Sequence, residues 1–322
     1  MKRPLSAAAK AAIYPFYRGF FAVRNWEPLW YYGLNRKGRA LHSRHRYELG
    51  AAEKRLIGDL QKDGVATAHL DELFPGQDLL PALQRYVGDL RAQAETKTKK
   101  TFLKQLWDVA PTLDPENPFV KLALEPKIVD IVNSYLGMYS IFYYLTLNIT
   151  ESVAPEAAPI SSQRWHRDPE DKRMCKVFLY VNDVGPGSGP FTYARGSQYG
   201  GRHGGMFPQR PPKGTYPKAE SVLAAIPKED ITSFTGRAGT LVFADTAGLH
   251  RSGYATEKER IMFTAGFCSA SSVWPFRFVY PEGFDRTVAA LAHPAVRYAL
   301  QRPRPRLASI FFEKLRKVYK HD

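Results

Sequence analysis

SIFYYLTLNIT, residues 140–150, divides the chain into two kinds of sequence. It is rich in aromatic and β-branched residues, which suit a pleated and half-buried surface, so it reads as a strand. Upstream the apolar residues keep helical spacing. Leu56, Ile57 and Leu60 share one face of residues 51–60. Leu79, Leu80, Leu83, Val87 and Leu90 do so in residues 78–93, and residues 119–136 look helical again. Gly64–Ala68 is a short strand among these helices. Downstream, further strands are expected at Val177–Val181, Phe191–Ala194, Thr240–Ala244 and Ile261–Phe267. Gly185-Pro186-Gly187-Ser188-Gly189-Pro190 forms a turn between two of them. Helices followed by many strands with Gly/Pro turns predict an α+β chain with a β-sandwich or jelly-roll core.

Two stretches resist this pattern. Pro15 and Pro28 should interrupt any long helix in the aromatic segment 8–33, and the polar run Glu95–Lys100 reads as a loop or an exposed surface. Residues 199–235 hold five Gly and five Pro. A connection this long inside a core forms a lid or a substrate wall.

Charge separates the chain into three parts. The 322 residues carry a formal net charge of +15. Residues 1–46 hold ten Lys/Arg and one acid, and residues 297–322 hold eight Lys/Arg and two acids, so the body 47–296 is neutral. We therefore expect a basic, aromatic N-terminal extension (1–46), a catalytic body (47–296) and a basic C-terminal helix (297–322). Neutrality of the body argues against nucleic acid as the partner. The two cysteines, Cys175 and Cys268, define no disulfide framework and no Cys/His zinc pattern, so a reducing, cytoplasmic setting is expected. No apolar run is long enough for a membrane span, and no cleavable leader is evident at the N-terminus.

The chemistry gathers at Arg164-Trp165-His166-Arg167-Asp168-Pro169. On an extended strand, residues two apart face the same way. His166 and Asp168 can then offer an imidazole and a carboxylate to one ion, with His250 as the third ligand from just after another strand. Two His and one carboxylate on one octahedral face leave three positions open, the arrangement of non-haem Fe(II) oxygenases, although Mn or Co binds the same donors. Alone, His-x-Asp also fits an exposed histidine on a polar loop. Arg260 strengthens the metal reading, because a buried arginine heading an apolar strand needs an anionic partner. Its fork matches a carboxylate, with Ser252 adding a hydroxyl.

Three strings, His166-Arg167-Asp168, Gly185 to Gln198 (GPGSGPFTYARGSQ) and His250-Arg251-Ser252 with Arg260, resemble the phytanoyl-CoA dioxygenase family of Fe(II)/2-oxoglutarate-dependent oxygenases. The resemblance implies a double-stranded β-helix (jelly-roll, cupin-like) over about 139–270, with helices packed against it. It implies Fe(II) on His166, Asp168 and His250, and 2-oxoglutarate and O2 as co-substrates. Arg260, assisted by Ser252, would hold the distal carboxylate. Gly196-Ser197-Gln198 departs from the family's Gly-Ser-His. Tyr144, Asn148 and Trp165 are candidates for further 2-oxoglutarate contacts, and Arg251 competes with Arg260. The implied reaction is hydroxylation of a C–H bond coupled to decarboxylation of 2-oxoglutarate. Presence of Asp168 favours oxygen insertion over halogenation.

The remaining histidines, His42, His45, His69, His203, His293 and His321, read as isolated surface groups, with His203 a secondary candidate for substrate contact. Asp245 reads as a turn carboxylate. Phe311, Leu315, Val318 and Tyr319 keep helical spacing among Lys314, Arg316, Lys317 and Lys320. Such a helix over 297–322, like the basic aromatic segment 1–46, suits either an anionic membrane surface or packing on the core. Membrane contact would place the protein peripherally on the inner face and favour a lipid-linked sugar or glycolipid substrate. The competing functional class is a catalytically inactive jelly-roll module that binds an acidic ligand or a membrane.

Overall fold

The computed structural model describes residues 7–45, 47–93, 97–100, 102–108, 110–211, 214–274 and 278–302. Its N-terminal part is helical: α1 (Ala7–Arg24), a π-helical segment Pro28–Leu34, α2 (Arg36–Arg44) and α3 (Ala51–Asp63). Strand β1 (Val65–His69) follows the left-handed Gly64, and then come α4 (Leu70–Leu73) and α5 (Leu79–Gln93). A hairpin of β2 (Lys97–Lys100) and β3 (Leu103–Gln105) precedes α6 (Pro118–Ala123) and α7 (Pro126–Leu136). The strand-rich part comprises β4 (Ile141–Thr150), β5 (Met174–Tyr180) and β6 (Phe191–Ala194). After α8 (Ala219–Ala225) it continues with β7 (Ile231–Phe234), β8 (Thr240–Ala244), β9 (His250–Arg251) and β10 (Arg260–Cys268). Helices α9 (Phe284–Ala290) and α10 (Pro294–Ala299) follow.

Two antiparallel sheets result. The larger has seven strands in the order β1-β8-β5-β10-β4-β3-β2, and the smaller has three, β7-β6-β9. Strand periodicity assigns the two faces of the large sheet. Leu145, Leu147 and Ile149 of β4, with Ile261, Phe263, Ala265 and Phe267 of β10, join the main core with residues of α3, α6 and α7. The intervening residues Thr146, Asn148 and Thr150 face Thr264, Met262 and Arg260 across the ladder, and all six line a cavity. Central strands covered on both faces carry continuous apolar runs, and every residue of β5 and β10 is buried. Phe178 and Met262 of the large sheet meet Phe191 and Tyr193 of the small one in a second core. This is the expected α+β chain with a jelly-roll core.

One local expectation fails, and two stretches are more regular than the sequence suggests. Pro15 lies inside α1 and does not end it; burial of Tyr17 and Phe21 offsets the backbone hydrogen bond that a proline forfeits. Lys97–Lys100 is an edge strand, a place where lysines blunt unwanted pairing. The connection 199–235 is partly regular, because it contains α8 and β7.

The N-terminal segment docks on the body. Arg24 Nη2 and Trp30 Nε1 donate to Asp171 Oδ1 at 2.7 and 3.0 Å, and Trp30 is wholly buried. Packing on the core, one of the two readings of the basic ends, thus holds around Arg24 and Trp30. The expected amphipathic tail and His321 fall outside the described residues.

Candidate metal centre

His166 and His250 meet as a two-way antiparallel bridge. His166 N donates to His250 O at 2.9 Å, and His250 N donates to His166 O at 3.0 Å. Asp168 N then donates to Thr246 O at 2.9 Å, which sets the carboxylate beside both rings. His166 Nε2 lies 3.8 Å from Asp168 Oδ1, and His250 Nε2 lies 3.6 Å from Asp168 Oδ2. The three ligand atoms fall within 4.8 Å of one another. These separations exceed hydrogen-bond length but suit donors around a common ion.

The tautomers agree with that role. His166 Nδ1 lies 2.9 Å from Arg164 O, and His250 Nδ1 lies 3.0 Å from Gly248 O. A carbonyl oxygen can only accept, so each Nδ1 carries the proton and each Nε2 turns its lone pair toward Asp168. Burial first, and then His166, push the His250 pKa down to about 3, which keeps the ring neutral.

Alternation sends Arg167 the other way. Its guanidinium donates to Ser197 O, Ala247 O and Met206 O at 2.6 to 2.7 Å and pins the ligand loop from behind. Nothing in the spacing of the motif distinguished Arg167 from a solvated arginine. Ser197 Oγ accepts from Leu249 N at 2.7 Å, and Gln198 Nε2 donates to Gln61 O and Lys62 O. The departure to glutamine therefore falls at a packing position.

Lys176 and Glu170 were not anticipated. Lys176 Nζ lies 2.6 Å from Asp168 Oδ2 and 3.7 Å from Glu170 Oε1. Burial disfavours ionised Asp168, but Lys176 and the two histidines outweigh it and hold its pKa below the usual carboxylate range. Burial, followed by the Asp168 charge, raises Glu170 to about 7. The signal available in sequence was the lysine in the middle of the apolar run MCKVFLY, since a buried lysine needs an acid.

A cavity of about 280 Å³ runs from the triad to Arg260, past Phe178, Phe191 and Met262. Arg260 is 2% exposed. It donates to Gly189 O and to Thr150 Oγ1, but among the described residues no carboxylate pairs with it, and its Nε has no partner. The Ser252 hydroxyl, also on the cavity wall, is likewise buried without a partner. Tyr144 and Asn148 line the cavity. Trp165 does not: it packs with Ala194, Val222 and Leu249, and Arg251 lies over its ring, 5.2 Å from the centroid. Tyr216 stacks on His166 at the rim.

Of the supposedly isolated histidines, His203 pairs with Asp230 at 2.7 Å and does not line the cavity. His69 accepts from Asp71 N as the cap of α4. His45 and His293 are not isolated either, since both face Asp130.

Asp245 is structural, as expected, accepting from Tyr135 OH at 2.6 Å and Ala247 N at 3.0 Å. Burial raises its pKa to about 6 against the Tyr135 hydrogen bond. A carboxyl raised on folding favours the native state below its unfolded pKa, and that contribution is lost as pH rises through about 6. Relative to Asp245→Asn, the wild type should lose about 2 kcal/mol of stability between about pH 4.5 and 7. Urea melts of both proteins at the two pH values check this; parallel losses contradict it.

No family model and no curated protein matches the sequence. Solved structures do match. The epimerase SnoN, in complex with Fe3+, alpha ketoglutarate and nogalamycin RO, is 17% identical, with 80% of this chain and 96% of that one covered and a TM-score of 0.54. EctD from S. alaskensis with 2-oxoglutarate and 5-hydroxyectoine is 18% identical over 82% and 90% of the two chains, at a TM-score of 0.50. The non-heme alpha ketoglutarate dependent carbocyclase SnoK is 15% identical over 81% and 95%, also at 0.50. At these identities the likeness establishes a shared fold, the cupin-like jelly roll.

Proposed function

We propose that this protein is a non-haem Fe(II)- and 2-oxoglutarate-dependent oxygenase, akin to the phytanoyl-CoA dioxygenases, that hydroxylates a C–H bond of its substrate. The carrying observation is the pairing of the two ends of one cavity. At one end stand two histidines and a carboxylate with their donor atoms converging, and at the other a buried guanidinium without an acid. An inactive binding module has no use for both. The donor set fits Fe(II), and the unpartnered Arg260 Nε and Ser252 hydroxyl fit a carboxylate.

His166, Asp168 and His250 would hold the iron, which when bound supplies the activation of O2 and the oxidation of substrate. The remaining work belongs to the chain. Arg260 and Ser252 take the distal carboxylate of 2-oxoglutarate and set the direction in which the co-substrate points. Phe178, Phe191 and Met262 line the space between and exclude water, which strengthens each charge interaction there. Arg167 keeps the His166–Asp168 strand in register. Lys176 holds one oxygen of Asp168, leaving the other toward His166. Tyr216 and Arg164, stacked at the rim, stand where substrate arrives.

For the substrate we propose a lipid-linked sugar or glycolipid met at an anionic membrane surface on the cytoplasmic side. Lys176, Glu170, Asn148 and Tyr216 give the cavity polar groups suited to hydroxyls. Phe16, Val23, Trp26 and Tyr32 are exposed apolar side chains in a segment that also exposes Arg36 and Lys37. Among the described residues no helix is long and apolar enough to cross a membrane. Anionic phosphatidylglycerol vesicles should co-sediment the protein and neutral ones should not; no difference removes the membrane element.

Anaerobic addition of Fe(II) and 2-oxoglutarate should give a weak visible charge-transfer band that His166→Ala lacks. No band, with no iron bound on metal analysis, overturns the oxygenase reading. Ser252→Ala should raise the 2-oxoglutarate KM about three- to tenfold, the worth of one hydrogen bond, with kcat little changed.

A further inference from the structure

A second group of metal-ligating side chains lies among the helices. His45 follows α2, Asp130 sits within α7 and His293 immediately precedes α10. His45 Nε2 is 3.7 Å and His293 Nε2 is 3.4 Å from Asp130 Oδ2, and the three ligand atoms lie within 4.8 Å of one another. These are the residue types and the spacing of the cavity triad, built from separate segments.

Ordinary pairing does not account for the cluster. Separations of 3.4 to 3.7 Å are too long for hydrogen bonds. Tetrahedral bonds of about 2.0–2.1 Å to one zinc-class ion would place such atoms about 3.4 Å apart. The Asp130 side chain is 13% exposed, and the ion pairs it makes among the described residues are to these two histidines alone. Among the described residues, Asp130 Oδ1, His293 Nδ1 and the hydroxyl of Tyr47 are all buried without a hydrogen-bond partner. Tyr47 packs against His45 with ring centroids 4.2 Å apart. These orphan atoms are not the ones that converge, Asp130 Oδ2 and the two Nε2; they show that the pocket around the converging atoms is polar and that neither Asp130 nor His293 spends its second polar atom on a protein partner that would displace an ion. His45 Nδ1 shares a 2.8 Å hydrogen bond with the Tyr139 hydroxyl. With its proton on Nδ1, His45 turns the Nε2 lone pair to Asp130, as an outer partner does for a metal-bound histidine.

We propose that His45, Asp130 and His293 form a structural site for a divalent zinc-class ion, with water as the fourth ligand, separate from the cavity triad. The ion ties the N-terminal helices and α10 to α7 and so closes two long loops of chain, where a cross-link restricts the unfolded state most. The inference does not rest on the oxygenase reading.

The test is zinc content after equilibration with Zn2+ and removal of excess, for wild type, His166→Ala, Asp130→Asn and His166→Ala/Asp130→Asn. His166→Ala should retain one firmly held zinc, and the double variant should bind it on the order of 100-fold more weakly. Co2+ in His166→Ala should give the intense visible absorption of tetrahedral cobalt, and Zn2+ should raise its melting temperature but not that of the double variant. His293→Gln in the same background repeats the test if Asp130→Asn folds poorly. Equal zinc content with and without Asp130, or no zinc in His166→Ala, overturns the proposal. Loss of zinc from the cavity triad alone bears only on the oxygenase.

Discussion

Arg260→Met should raise the 2-oxoglutarate KM by about 100-fold or more while the protein still folds. The guanidinium stays charged at any working pH, and burial lowers its pKa only from an already high value. It lies 2% exposed with no acid partner among the described residues, so on the proposed reading an incoming carboxylate would complete its charge balance. Two charge-assisted hydrogen bonds at about 1.5–3 kcal/mol each correspond to a loss of about 10²–10⁴ in co-substrate affinity. Methionine removes a buried charge and keeps an unbranched chain of similar length, so stability changes little even though Gly189 O and Thr150 Oγ1 lose their donor. Steady-state kinetics with varied 2-oxoglutarate, beside a thermal melt, decide the matter. An unchanged KM in a folded variant means that the carboxylate binds elsewhere.

Asp168→Ala should abolish turnover, weaken iron binding and destabilise the protein, and the last two effects should separate. Its carboxylate is both a donor of the triad and the close partner of Lys176 at 2.6 Å. Truncation leaves a buried ammonium with only Glu170, 3.7 Å away, and breaking such a pair costs about 3–5 kcal/mol. Asp168→Ala/Lys176→Met should regain most of that stability and none of the iron. Should the double variant recover iron binding, Asp168 is not a ligand. If it stays as unstable as Asp168→Ala, the pair with Lys176 is not what holds the loop.

These effects bear on how far each level of description reaches. Solved structures with this fold include an epimerase and a carbocyclase, so the fold by itself does not name the reaction. Lys176, Glu170 and Tyr216 line the cavity beside the triad and Arg164 lies over Tyr216, and none of them belongs to the three strings that carried the family resemblance.

Local chemistry was legible in the sequence wherever one element carries it. Aromatic and β-branched composition marked SIFYYLTLNIT as a strand, and the two-residue repeat of an extended strand put His166 and Asp168 on one face. Turn-forming Gly/Pro runs marked the breaks between strands. Contacts across long stretches of chain were not legible. Pro15 inside a helix, the Lys176–Asp168 pair, the anchoring of Arg24 and Trp30 on Asp171, and the meeting of His45, Asp130 and His293 each depend on how separate segments pack. A histidine looks the same in sequence whether it is solvated or faces a buried carboxylate from a distant helix. Backbone periodicity acts over a few residues and is written in the chain, whereas the partner of a buried charge is chosen by tertiary packing, which balances its desolvation against whatever the fold brings within reach.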